Sequence, residues 1–180
     1  EGLTLELVDK GLVTDQLVLT VCYDKENLAD KHKAASYKGE VSTDYYGRKI
    51  PKHAHSSINL GRQTSSTRII TEAFMQLFER IVDRDLTVRR MYVVANRVVP
   101  ESEAAEVKAE SEQLSLFTDY AEVERQRQAE EAVLAKEKKI QKAILNIKRK
   151  YGKNSILKGF NFEEGATARE RNRQIGEHRA

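Results

Sequence analysis

Most large apolar residues of this chain lie before residue 100, and that uneven placement limits what it can fold into. A core needs apolar side chains converging from several elements, so roughly the first 100 residues can form one domain and the rest is a long appendage. The chain opens "EGLTLELVDKG" without an initiator Met, as if already inside a helix, so a fragment of a longer protein is expected.

In "LTLELVDKGLV", Leu5, Val8 and Leu12 recur at helical spacing. "QLVLTVCYD" puts Leu17, Leu19, Val21 and Tyr23 on one period-2 face, which predicts a strand. Residues 24–55 are basic and loop-like, punctuated by Gly39, Gly47 and Pro51, and "HSSINLGR" reads as a short strand. The clearest helix is "TSSTRIITEAFMQLFERIVD". Its Ser/Thr residues offer N-caps, and the pairs Ile69/Ile70, Ala73/Phe74, Leu77/Phe78 and Ile81/Val82 repeat every four residues. "LTVRRMYVVANRVV" reads as a long, largely buried strand. A helix, strand, strand, helix, strand order predicts an α+β fold, an antiparallel sheet with helices on one face.

Residues 119–151 predict a long charged helix of roughly 45–50 Å. Its apolar stripe is only Val133, Ile140, Ile144, Ile147 and Tyr151, too short to establish a coiled coil. Its acidic first half and basic second half match the helix dipole. Thr167 and Glu170 stand at capping-box spacing and predict a short final helix in the basic tail, 152–180.

The formal charge of +3 hides a concentration, since residues 31–68 carry eight Lys/Arg against Glu40 and Asp44. Such a segment points to an anionic partner. Cys22 is the only cysteine, which excludes an intrachain disulfide and a CxxC metal site and fits a reducing cytoplasm. No apolar run reaches membrane-spanning length. His53 and His55 share a strand face, but zinc normally takes three or four protein ligands, so no metal site is expected. Cys22 lies mid-strand, where a thiol is usually small core filling.

The order and wording of residues 17–99 resemble the little-finger domain of Y-family translesion DNA polymerases, closest to the bacterial ImpB/MucB/SamB, or UmuC-like, group. The phrases that carry this are "LVLTVCYD", "YYGRKIPKHAHSSINLGRQTSSTRIITEAFMQLFERIVD" and "LTVRRMYVVANRVV". The tail "IKRKYGKNSILKGFNFEEGATARERNRQIGEHRA" is similar to the end of these chains. The resemblance implies a four-stranded antiparallel sheet backed by two helices, with the opening strand upstream of Glu1. A sheet short of that strand has an edge that invites self-association. The whole protein would be a magnesium-dependent polymerase. This segment offers none of the palm carboxylates, so no catalytic residue and no cofactor are expected in it.

The resemblance also implies that "QLSLF" (Gln113, Leu114, Ser115, Leu116, Phe117) is a sliding-clamp binding peptide within a flexible linker, 100–118. Leu116 and Phe117 would enter a preformed apolar pocket while Gln113 makes directional hydrogen bonds. From average residue usage, all five positions match by chance at about 10⁻⁶ to 10⁻⁵ per start. The competing reading is a hydrophobic staple folding back on its own chain.

For residues 1–99 the implied partner is primer–template DNA, held by its backbone without sequence reading. Lys49, Lys52, His53, Arg62, Arg68, Arg89 and Arg90 are the candidate contacts, with Ser65, Ser66 and Thr67 at a helix start able to hold a phosphate or simply to cap. Adjacent strand residues point to opposite faces, so Arg89 and Arg90 can share a face only if a bulge or the sheet edge intervenes. From another class comes the alternative: a non-enzymatic interaction protein that self-associates or recruits partners through the long helix.

Overall fold

The structure, a computed structural model, describes residues 1–29, 34–35, 37–104, 120–175 and 178–179. The peptide at 113–117 lies outside the described residues. Two compact units are present, Glu1–Gln113 and Leu114–Ala180.

In the first unit the elements are α1 (Gly2–Lys10), β1 (Leu12–Tyr23), α2 (Glu26–Ala29), β2 (Val41–Thr43), β3 (Lys49–Pro51) and β4 (Ala54–Thr64). Then come α3 (Thr67–Ile81), β5 (Val88–Asn96), β6 (Val99–Pro100) and α4 (Glu101–Ala104). β1 is central, with β4 and β5 antiparallel on either side and the short β6 pairing its first residues. The fold is α+β, as the element order predicts.

Alternation in β1 builds the core. Leu17, Leu19, Val21 and Tyr23 are buried on one face against Leu7 of α1 and Ile70, Ala73 and Leu77 of α3. The α3 residues recur at spacings of three and four, which puts them on one helix face. Arg80 of α3 donates to Ser56 Oγ (2.8 Å) and Ser57 O (3.0 Å), which ties the helix to β4.

Two expectations change. The described residues of the segment 24–55, expected to be loop, hold α2 and the hairpin β2–β3. Asn27 is buried there, donating to Asp24 O (2.9 Å) and Thr87 O (3.0 Å) and accepting from Thr87 N (2.8 Å). Asn27→Ala would leave both backbone groups of Thr87 without that partner. The expected loss is about 2 kcal/mol, a fall of roughly 10 °C in thermal melting; an unchanged midpoint would show the clip to be dispensable.

The second change concerns β5, expected to be largely buried. Met91, Tyr92, Val93 and Val94 are instead exposed. Among the described residues β5 pairs only with β1, and the helices pack over β1 and β4. The Val/Tyr run secured the strand but carried no information about what covers it. A shallow groove lined by Leu3, Leu7, Leu12, Val93 and Val98 lies between α1 and β5.

The second unit is α5 (Tyr120–Tyr151), 32 residues or about 48 Å long, followed by a compact tail. Lys148 Nζ donates to Ile156 O (2.8 Å), and Asn172 Nδ2 donates to Asn154 Oδ1 (2.8 Å). Val133, Ile140 and Ile147 are exposed along α5. A short helix, α6 (Ala168–Arg171), forms where expected, but Thr167 makes no side-chain cap bond because its backbone is already helical (φ −100°, ψ −4°). A small antiparallel pair, β7 (Gln174–Ile175) and β8 (His178–Arg179), follows. Among the described residues, no helix is long and apolar enough to cross a membrane.

Candidate nucleic-acid interface

The sheet face away from α1 and α3 follows from the register. It carries Gln16, Val18, Thr20 and Cys22 of β1, His55, Ser57 and Asn59 of β4, and Arg90, Tyr92, Val94 and Asn96 of β5. Its polar groups bridge the strands. Gln16 Nε2 donates to Asn59 Oδ1 (3.0 Å), Asn96 Nδ2 to Gln16 Oε1 (3.3 Å), and Thr20 Oγ1 lies 2.8 Å from His55 Nδ1. Arg90 donates to the Tyr92 hydroxyl (2.7 Å). Cys22 is half-buried on this open face opposite Arg90, not filling the core as expected from its mid-strand position. β4 and β5 contain no acidic residue, and β1 contains only Asp15. The three strands of this face therefore bring one acidic residue between them, and the side chains they place on it are polar or apolar apart from the cation Arg90.

The candidate residues fall at its two ends. Lys49, Lys52 and His53 precede or open β4, and Val21 pairs with both Ala54 and Met91, so Arg89 and Arg90 belong to that same end. Arg62, Ser65, Ser66, Thr67 and Arg68 lie at the opposite end of β4, beyond Asn59. Measured along β1, from Cys22 opposite Arg90 to Thr14 opposite Thr64, the ends are about 25 Å apart at the usual rise of a strand.

A bulge reconciles Arg89 with Arg90. Cys22 pairs with Arg90 but Tyr23 with Val88, which leaves Arg89 as the extra residue, and both arginines are exposed. At the other end Thr14 pairs with Thr64 while Gln16 pairs with Asn59, so Leu60–Gln63 form a bulge, with Leu60 packed against the core and Arg62 half-buried. Gly61 permits this with a left-handed φ of 68°, which disfavours any side chain, and Arg62 rides on the bulge.

The hydroxyls of "TSSTR" have internal work. Thr64 Oγ1 accepts from Ser66 N (3.0 Å), Ser66 Oγ accepts from Ile69 N (3.2 Å), and Thr67 Oγ1 lies 2.9 Å from Thr4 Oγ1 of α1. Ser65 and Ser66 are buried. Capping therefore accounts for this helix start, and exposed Arg68, 3.6 Å from Glu72, is its outward charge. Lys52 is exposed but paired with Glu40, whereas Lys49 and His53 are exposed around it.

Sequence reasoning missed the tip of the β2–β3 hairpin. Asp44 N donates to Arg48 O (2.9 Å), Asp44 Oδ1 accepts from Tyr46 N and Arg48 N (2.9 Å each), and Oδ2 accepts from Arg48 Nε (2.7 Å). Gly47 supplies the positive φ of 76° that the turn requires. The hydrogen bond from Arg48 holds the Asp44 carboxyl below its usual range. A depressed carboxylate stabilises the turn above its unfolded pKa, and that contribution disappears as pH falls through the folded value. The hairpin is thus wired at neutral pH. It carries Tyr45 and Tyr46, 96% and 76% exposed. A tyrosine pair between an Asp and a Gly was the available signal.

No group of three or more His, Cys, Asp or Glu is placed to hold a metal ion among the described residues. Compared with known proteins, the chain matches no family model, no curated protein and no solved structure.

Proposed function

We propose that this chain is the DNA-binding, clamp-tethered C-terminal part of a bacterial Y-family lesion-bypass polymerase, acting in DNA repair in the cytoplasm. The observation that carries the reading is the acid-poor open sheet face with cations at both ends. Its length of about 25 Å exceeds the width of the major groove, about 12 Å, so the two ends can reach phosphates on either side of a groove while the acid-poor centre spans it. Phosphate neutralisation supplies affinity without sequence preference. Among the described residues β5 is paired along one edge, which is compatible with the further strand that the little-finger fold has in its sheet. Phosphoryl transfer belongs to the remainder of that polymerase, and "QLSLF" raises its local concentration at the clamp.

The test is fluorescence anisotropy of the full chain on primer–template duplexes of unrelated sequence. Arg90→Ala and Lys49→Ala should each weaken all duplexes alike and reduce the dependence of log affinity on log salt by about 1. Weakening confined to one sequence, or unchanged affinity in both variants, would count against the interface.

A second reading is a non-enzymatic interaction protein. It is favoured by the exposed apolar residues of β5 and by exposed Val133, Ile140 and Ile147 on α5. Sedimentation showing a stable dimer with no affinity for DNA or clamp would establish it.

A further inference from the structure

The Asp44-anchored turn holds two large rings out in solvent. Folding normally removes aromatic surface from water, yet Tyr45 is 96% exposed and Tyr46 76% exposed on a turn fixed by four hydrogen bonds to one aspartate residue's carboxylate and amide groups. The rings meet edge to face, with centroids 5.4 Å apart and planes at 86°. Arg48 lies 4.8 Å from the Tyr46 centroid and is ion-paired to Asp44 at 2.6 Å. One face of Tyr46 is thereby occupied by a guanidinium, while the tip keeps aromatic surface turned to solvent.

The neighbours decide what such a tip would take. An anchor for a protein pocket is normally set in an apolar patch. Here Arg48 and Lys49 adjoin the tip, Lys52 and His53 follow at the base of the hairpin, and the two acids, Asp44 and Glu40, are each paired with a cation. Aromatic faces among cations match the chemistry of a nucleobase stacked on a ring with its phosphate neutralised nearby. The hairpin leads through Lys52 and His53 directly into β4, so it stands at the Arg89/Arg90 end of the open face.

We propose that the Val41–Pro51 hairpin is a stacking finger for an unpaired base of single-stranded DNA where it leaves a duplex held on the sheet. The proposal rests on the DNA-binding reading above. Because the turn is fixed before binding, little ordering entropy opposes the stack.

The experiment compares the full chain on three probes of one duplex sequence: blunt, with a six-nucleotide 5′ overhang, and with an overhang of abasic nucleotides. Wild type should bind the base-bearing overhang roughly ten-fold or more tightly than the abasic one. The Tyr45→Ala/Tyr46→Ala variant should lose that increment while keeping blunt-duplex affinity and thermal melting, and Tyr45→Phe/Tyr46→Phe should retain it. Equal binding to base-bearing and abasic overhangs, with the blunt duplex still bound, would overturn the finger alone. Loss of the increment in the Phe variant would overturn ring stacking as its cause. Failure to bind all three probes would overturn both the finger and the DNA-binding reading.

Discussion

Changing Leu116 and Phe117 together to Ala is expected to abolish binding of this chain to a purified bacterial sliding clamp, measured by calorimetry. Truncating a central apolar anchor typically costs about 2 kcal/mol or more. Adjacent anchors are not additive, so the pair is expected to cost about 2–4 kcal/mol, roughly thirty- to a thousand-fold in affinity. The surrounding sequence, "ESEAAEVKAESE" before and "AEVERQRQAEEA" after, has few apolar residues to compensate. A peptide that serves the clamp and not its own chain should leave the melting of the first-unit core, built on Leu17, Ile70 and Leu77, unaffected. Clamp affinity that survives the double substitution would end the peptide assignment. If wild type shows no clamp binding, and the double variant melts lower, "QLSLF" is a staple for its own chain.

The sequence made legible whatever rests on local periodicity. Leu17 through Tyr23 declared β1, and the four-residue repeats from Ile69 to Val82 declared α3, because one buried face imposes its period on the residues. The long helix was equally plain, since nothing in its 32 residues breaks it. Hidden features depended on pairing between distant segments. That β5 is an edge strand among the described residues follows from the placement of β1 in the middle, which no pattern within "VRRMYVVAN" records. The bulge that frees Arg89 depends on a register shift between Cys22 and Tyr23, again a property of two strands.

The candidate site was legible in composition but not in arrangement. The cations of residues 31–68 were visible as a count, whereas their division between the two ends of β4 required the fold. Ser65 and Ser66 illustrate the limit, because a hydroxyl at a helix start suits a phosphate and a cap alike. Burial and the Ser66–Ile69 bond decide in favour of the cap. Tyr45 and Tyr46 were passed over because an aromatic in a loop has no periodicity to interpret. Only the bonds converging on Asp44 show that this loop holds a shape.

Duplex affinity should fall steeply and linearly in log salt, and the slope can be bounded from the residues. Lys49, Lys52, Arg62, Arg68, Arg89 and Arg90 are the candidate phosphate contacts, and releasing one counterion per contact gives a slope near −0.9 times their number, about −5.4 for all six. Lys52 and Arg68 already face Glu40 and Glu72, and removing those two contacts from the count gives about −3.6. Between 50 and 200 mM salt this range corresponds to a loss of roughly 10²- to 10³-fold, measured by anisotropy on two unrelated sequences that should behave alike. A slope near zero, or strong preference for one duplex, would be incompatible with a backbone-tracking face. The overhang increment assigned to Tyr45 and Tyr46 should behave differently. Base-bearing and abasic overhangs carry the same phosphates, so their ratio should change little as salt rises. A ratio that collapses with salt would assign the increment to charge, and the tyrosines would then contribute no stacking.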